Sequence, residues 1–270
     1  MIKKKKVVLI TGAASGLGKA IALYLASRDI HVFCTDMNDS GLVFNDNPNI
    51  STAVMDITDD NSIIHVRTVI QETCSGLDGI VNNAGTFDQF PMVEGDTSRY
   101  ENIIQVNVIG AYRVSNAFFP LLYKNRGRII NISSETAKTL LPFQTYGSSK
   151  YMMEAWSNVM RMELKLLNMY VSLIRAGGHK TPLMAKTLEV LDNVPEDSMF
   201  RKALEKIKKT GGKKVMNVKN DPLDVAKTVY RALSAKKPKK IYSVNESALF
   251  KFLPLLPEWM KEYVIIKSLK

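Results

Sequence analysis

A buried-looking strand runs straight into a glycine turn and then a helix within the first thirty residues, and few folds accept that order. Val7-Val8-Leu9-Ile10 is a short apolar run, Thr11-Gly12-Ala13-Ala14-Ser15-Gly16-Leu17-Gly18 follows without a gap, and 17–27 repeats Leu17, Ile21 and Leu25 at helical spacing. Glycines there allow a tight turn and let the backbone approach a pyrophosphate resting on the helix N-terminus. Three glycines alone are weak evidence, but between a buried strand and an amphipathic helix they point to a dinucleotide site.

The rest of the chain keeps the same rhythm. Strands are predicted at His31 to Thr35, Thr52 to Met55, Gly79 to Val81, Arg128 to Ile132, Tyr170 to Ile174 and Ile241 to Val244. Helices are predicted over 60–74, 98–124, 147–168 and 222–234. Such alternation implies one α/β domain over 1–270, a doubly wound parallel sheet with helices on both faces. The stretch 182–220 breaks the rhythm with Pro182, Pro195, Gly211 and Gly212 around an amphipathic segment, 196–209, and reads as a mobile substrate lid. Residues 245–270 form a C-terminal extension.

Asp36 ends the second strand eighteen residues beyond Gly18, the offset at which a carboxylate meets the adenosine ribose. It would accept bonds from both ribose hydroxyls and repel a 2′-phosphate. Neither Ser15 nor Met37 supplies a cation for such a phosphate, so NAD is expected rather than NADP. The bland alternative is a solvated acid in a turn with Asn38 and Asp39.

Further along, Tyr146-Gly147-Ser148-Ser149-Lys150 projects a phenol and an ammonium from one helix face. A free phenol titrates near 10, too high for proton exchange at neutral pH, and a neighbouring ammonium together with an oxidised nicotinamide would lower it. Alone, such a pair is ordinary helix surface.

With its company the pair reads differently. The glycine motif 11–18, Asp56-Ile57, Asn82-Asn83-Ala84-Gly85, Asn107 between Val106 and Val108, Ser133-Ser134, Tyr146 with Lys150, and Thr181 stand together in one order. On these residues the chain resembles the classical short-chain dehydrogenase/reductase family along nearly its whole length, and the resemblance implies a Rossmann fold. It implies that Ser134 bonds the substrate oxygen, Tyr146 exchanges its proton, Lys150 holds the ribose and tunes Tyr146, and Asn107 positions a water that completes a proton relay. It also implies a cofactor bed of Gly12, Ser15, Gly16, Leu17, Gly18, Asp36, Asp56, Ile57, Asn83, Ala84, Gly85, Tyr146, Lys150, Gly177 and Thr181. Asp56 could instead cap the helix over 60–74, and Asn82 and Asn83 could simply form a turn. The family's usual Pro-Gly is Ala176-Gly177 here, Ala137 replaces a common glycine, and the Ser134–Tyr146 interval is one residue short of many members. His179 reads as a structural or solvated histidine, with contact to the substrate or the cofactor phosphates as the alternative.

Helix 147–168, with Glu154-Ala155, Ser157, Arg161, Glu163 and Leu164, resembles the retinol and hydroxysteroid dehydrogenase branch. The expected substrate is therefore a hydrophobic secondary alcohol or ketone, steroid-like or retinoid-like. Leu183, Met184, Leu188, Leu191, Met199 and Phe200 could line its pocket. The alternatives are a 3-oxoacyl reductase acting on acyl-carrier substrates and a non-catalytic dinucleotide sensor.

A net charge of +11 gathers at Lys3 to Lys6, between Lys206 and Lys214, and at Lys236 to Lys240. These runs read as solvated faces, with attraction to an anionic membrane surface as the functional alternative. Nucleic acid is not expected, since no aromatics interleave the basic runs. Cys34 and Cys74 lack disulfide or ligand spacing, so no metal site is expected and a cytoplasmic setting is. The segment Leu253 to Lys270 mixes Trp259, Tyr263 and Ile265-Ile266 with lysines, suiting a peripheral membrane contact or, equally, a tail packed on the domain or on a neighbouring subunit. The family resemblance further implies a homodimer or homotetramer built on helices 98–124 and 147–168.

Overall fold

The computed structural model describes residues 5–216 and 218–270, with backbone alone for Leu188, Leu191 and 211–216. Lys3 and Lys4, and the side chains of Leu188, Leu191, Lys213 and Lys214, lie outside what is described.

Seven parallel strands are ordered β3-β2-β1-β4-β5-β6-β7. They are β1 (Lys6–Thr11), β2 (Ile30–Asp36), β3 (Ile50–Val54), β4 (Gly79–Asn82), β5 (Arg128–Ser134), β6 (Tyr170–Ala176) and β7 (Ile241–Val244). The order reverses between β1 and β4, which opens a crevice at the strands' carboxyl ends where this class of fold binds ligands.

Helices α1 (Gly16–Ala26) and α2 (Asp60–Thr73) lie on opposite faces. Ile21 and Leu25 of α1 are fully buried on one face, together with Val225 and Val229 of a later helix. Ile63, Val66 and Ile70 of α2 pack on the other. Each such side chain withdrawn from water contributes about 1.5–3 kcal/mol. The central strands read as unbroken apolar runs because both of their faces are covered.

The predicted helix 98–124 is not continuous. It divides into α3 (Thr97–Ile104), a π-helical turn over Gln105–Gly110, α4 (Ala111–Ala117) and α5 (Phe119–Lys124). Pro120 opens α5 and accounts for the second break. Helix α6 (Thr145–Leu166) then returns across β5 and β6.

The 182–220 stretch, expected as a lid around an amphipathic segment at 196–209, holds two helices. It is built from α7 (Pro182–Asp192), started by a proline in its first turn, and α8 (Arg201–Met216), which runs through Gly211 and Gly212. Helix α9 (Pro222–Ser234) is capped by Asp221, whose side chain accepts from Leu223 N. The extension carries α10 (Ala248–Phe252) and α11 (Glu258–Leu269). Among the described residues no helix is long and apolar enough to cross a membrane.

Candidate active site

The crevice at the switch point is a cleft of about 1090 Å³. At one end the β1–α1 turn uses two left-handed glycines, Gly12 at φ +66 and Gly16 at φ +53. At Gly12 an added Cβ would lie 2.7 Å from the Ala84 Cα, so only glycine lets the turn sit against the end of β4. Thr11 Oγ1 accepts from the amides of Asn83 and Ala84, and Asn83 Nδ2 donates to the carbonyls of Thr11 and Gly12. Asn83 thus shapes the turn as well as lining the cleft. Asn82 is no turn former: its side chain donates to Ser115 and Asn131 beneath the sheet ends.

Asp36 also faces the cleft, its Oδ2 accepting from Ala14 N and its Oδ1 from Asn38 N. Asp56 accepts from the Thr58 amide and hydroxyl, whereas the cap of α2 is Asp59. Asp56, Ile57, Gly85, Gly177 and Thr181 all line the cleft, as do Ser15 and Leu17. Gly18 does not, because its Cα lies against the carbonyl of Gly12.

At the other end β5 delivers Ser134 and α6 delivers Tyr146 and Lys150 into the same cleft. Burial pushes the Tyr146 phenol up to about 12, opposed by a hydrogen bond with Ser134. Burial likewise pulls the Lys150 ammonium down to about 8. Its Nζ donates to Ile132 O and lies 5.7 Å from the Tyr146 ring centroid. At that position the lysine does not outweigh the burial of the phenol, so the lowering expected from Lys150 is not delivered by the protein alone.

Asn107 sits in the π-helical turn, fully buried and outside the cleft lining. Its Oδ1 accepts from Thr86 N, and its Nδ2 donates to Thr86 O and Ser149 Oγ. Both amide hydrogens are used in clamping the loop after β4 to α6. A Cβ on Gly85 would lie 3.1 Å from Asn107 Oδ1 and 3.5 Å from Lys150 Nζ, so Asn107 stands behind Lys150 across a glycine. A π-helical turn inside an α-helical run is frequent at functional sites.

The family profile for short chain dehydrogenases matches residues 6–192, a span that holds the glycine turn, Asp36, Ser134, Tyr146, Lys150 and Thr181. The chain belongs to the short-chain dehydrogenase family. Among its relatives, 17-beta-hydroxysteroid dehydrogenase type 6 of Mus musculus is 31% identical, over 97% of this chain and 88% of that protein. Retinol dehydrogenase 7 of Rattus norvegicus is 30% identical, over 96% and 87% respectively. A short-chain dehydrogenase from Streptomyces avermitilis has the same fold, with a TM-score of 0.80 at 22% identity over 99% of this chain and 98% of that one. As a family member the chain is an oxidoreductase, and its fold binds a nicotinamide dinucleotide.

Further contacts of this short-chain dehydrogenase join residues distant in the chain. Glu154 of α6 bonds Ser133 and Arg175, and Glu135 accepts from Ser247 N, tying the extension to the loop after β5. Helices α8, α10 and α11 also reach the cleft, through Lys206, Ile207, Leu249, Phe250 and Leu269. His179 is buried, with Nδ1 against Gly177 O and Nε2 against Asn245 Nδ2, a structural arrangement.

The buried lysine has a measurable consequence. Lys150 titrates at about 8 in the folded chain against 10.5 ordinarily, so between those values the unfolded chain holds a proton that the folded chain has released. Its penalty on stability is full below pH 8 and disappears as pH rises towards 10.5. The stability of wild type minus that of Lys150→Met should therefore rise by up to about 3 kcal/mol between pH 7 and pH 10, measured by urea unfolding. A pH-independent difference would contradict it.

Proposed function

We propose that this enzyme uses NAD(H) to interconvert a secondary alcohol and its ketone on an apolar, steroid-like or retinoid-like body. The observation that carries the reading is the convergence of Ser134, Tyr146 and Lys150 with the Gly12–Gly16 turn and Asp36 in one cleft. Bound dinucleotide supplies the hydride acceptor or donor and, when oxidised, a positive charge near the phenol.

The chain's own residues do the rest. Gly12, Ser15, Gly16, Leu17, Asp56, Ile57, Asn83, Ala84, Gly85, Gly177 and Thr181 bed the dinucleotide, while Gly18 holds the helix that receives its pyrophosphate. Ser134 hydrogen-bonds the substrate oxygen and Tyr146 Oη exchanges the proton on it. Fixed donors at a developing alkoxide are worth more here than in water. Lys150 Nζ holds the ribose hydroxyls and passes the proton outward. Asn107 keeps Gly85 and Ser149 in place so that Lys150 faces the cleft.

Support for NAD comes from Asp36, which makes no ion pair among the described residues. A 2′-phosphate beside it would meet like charge. Asp36→Ser should cut the preference for NAD(H) over NADP(H) on the order of 10-fold or more, read by fluorescence titration of both reduced cofactors. Support for the substrate class comes from Phe87, Leu141, Leu183, Met184 and Phe250 in the cleft wall, and from the names of the two relatives.

Two copies pair along α4–α6, where Tyr112, Tyr151, Val159 and Met162 are exposed. Helix α11 turns Trp259, Tyr263 and Ile266 outward beside Lys267 and Lys270, which suits an anionic lipid surface. Cys34, buried with its thiol pushed up to about 12, agrees with a cytoplasmic setting.

The test is cofactor titration followed by a panel of steroid and retinoid alcohols and ketones. Tight NAD(H) binding with turnover of an apolar substrate supports the reading. A clear NADP(H) preference with acyl-thioester turnover, or binding without any turnover, overturns it.

A further inference from the structure

Helix α6 meets the sheet through two polar anchors one turn apart on the same face. The first is Lys150, whose Nζ donates to Ile132 O. The second is Glu154, which is 6% exposed and takes three hydrogen bonds. Ser133 Oγ donates to its Oε1 at 2.7 Å, and the Arg175 guanidinium donates to both oxygens, from Nε at 2.8 Å and Nη2 at 2.6 Å.

Ser133 and Arg175 are register partners on β5 and β6. One carboxylate therefore joins α6 to two strands near their carboxyl ends. Each joined element also carries part of the site: Ser134 follows Ser133, Tyr146 and Lys150 precede Glu154, and Gly177 lies two residues after Arg175.

Apolar contact between α6 and the sheet is non-directional. A charge-assisted, bidentate bond adds a fixed direction and length. Burying an ion pair is a poor way to gain stability, since apolar side chains of similar volume often do as well or better. The Arg175 guanidinium also feels Glu246, but that carboxylate is engaged with Lys138, so Glu154 holds Arg175 directly.

We propose that Glu154 is a positioning residue: its carboxylate locks α6 onto β5 and β6 and so sets the spacing between the Tyr146 hydroxyl and Ser134. This rests on the reading of Ser134 and Tyr146 as the proton-handling pair.

Three variants test it: Glu154→Gln, Glu154→Asp, and the double substitution Glu154→Met with Arg175→Met. Kinetics use NAD and the panel alcohol that wild type oxidises fastest. The Gln variant should lose up to about 100-fold in kcat, because a misplacement near 1 Å costs that much, with KM for NAD within about threefold. The Asp variant, which keeps the charge but shortens the reach by one methylene, should fall between. The double variant should melt near the wild-type temperature yet keep the loss in kcat.

Crystal structures of wild type and of the Asp and double variants give a readout that needs no turnover. The Ser134–Tyr146 hydrogen bond should lengthen or break in the variants. Recovery of kcat together with stability in the double variant, or an unchanged Ser134–Tyr146 distance in both crystals, overturns the proposal. If wild type turns over nothing while that distance still changes, the positioning role stands and the assigned reaction fails instead.

Discussion

Tyr146→Phe should lower kcat by about 10³–10⁴-fold and leave the dissociation constant for NADH within about threefold of wild type. The substitution removes one oxygen from a ring that packs at 5.2 Å, centroid to centroid, against Phe87, so the cleft wall survives. On the proposed mechanism, what is lost is the group that exchanges the substrate proton, together with the hydrogen-bond partner of Ser134. The two effects fall on the same developing charge, which is why a single hydroxyl carries so large a factor. On the proposed reading, cofactor affinity rests mainly on the glycine turn and Asp36 at the far end of the cleft, so binding and turnover should separate. A comparable loss in both, with the melting temperature unchanged, would mean that Tyr146 works mainly as a cofactor ligand.

The second large effect is expected at a residue that lines no cleft. Gly18→Ala places a Cβ 2.0 Å from Gly12 O and 2.6 Å from Asn83 Nδ2. Both are parts of the turn itself, Asn83 Nδ2 donating to that same carbonyl at 2.9 Å. The new methyl can be accommodated only by lifting α1 off β1, which breaks the Asn83 bonds and withdraws the helix N-terminus from the pyrophosphate. Destabilisation of about 3 kcal/mol and a weakening of NADH binding of about 100-fold or more are expected. Gly178→Ala is the internal comparison, since its Cβ would meet only side-chain methyls, of Val218 and Met184, at 3.1 and 3.2 Å and no backbone at that range. Its effects should be small in both thermal melts and NADH titration. Similar losses at the two glycines would refute the argument from close approach.

What could be read from the sequence was local. The β1–α1 glycine turn and the Tyr146–Lys150 pair are set by spacings of four to eight residues, and the structure brings them to one cleft with the intervening strands in doubly wound order. The pieces that escaped depend on contacts distant in the chain or on backbone detail without a side-chain period. The π-helical turn around Asn107 is one, because apolar residues on either side still recur as in an α-helix. Glu154 is another: a glutamate inside an amphipathic helix looks solvated until Ser133 and Arg175 are brought beneath it. In the 182–220 stretch the sequence showed one amphipathic segment, 196–209, inside an expected lid. The structure has two helices there: Pro182 starts α7, and α8 runs through Gly211 and Gly212.

The central claim is that hydride passes directly between a carbinol carbon and the nicotinamide in this cleft. It is tested most directly by isotope transfer. The panel alcohol with the highest turnover is prepared with deuterium on its carbinol carbon and incubated with enzyme and NAD, and the reduced cofactor is examined by mass spectrometry and proton NMR. One deuterium is expected on nicotinamide C4 of a single face, formed at least about 10³-fold more slowly when Tyr146→Phe replaces wild type under the same conditions. Tight NAD binding without transfer from any alcohol of the panel, or transfer that survives undiminished in the Phe variant, would contradict it.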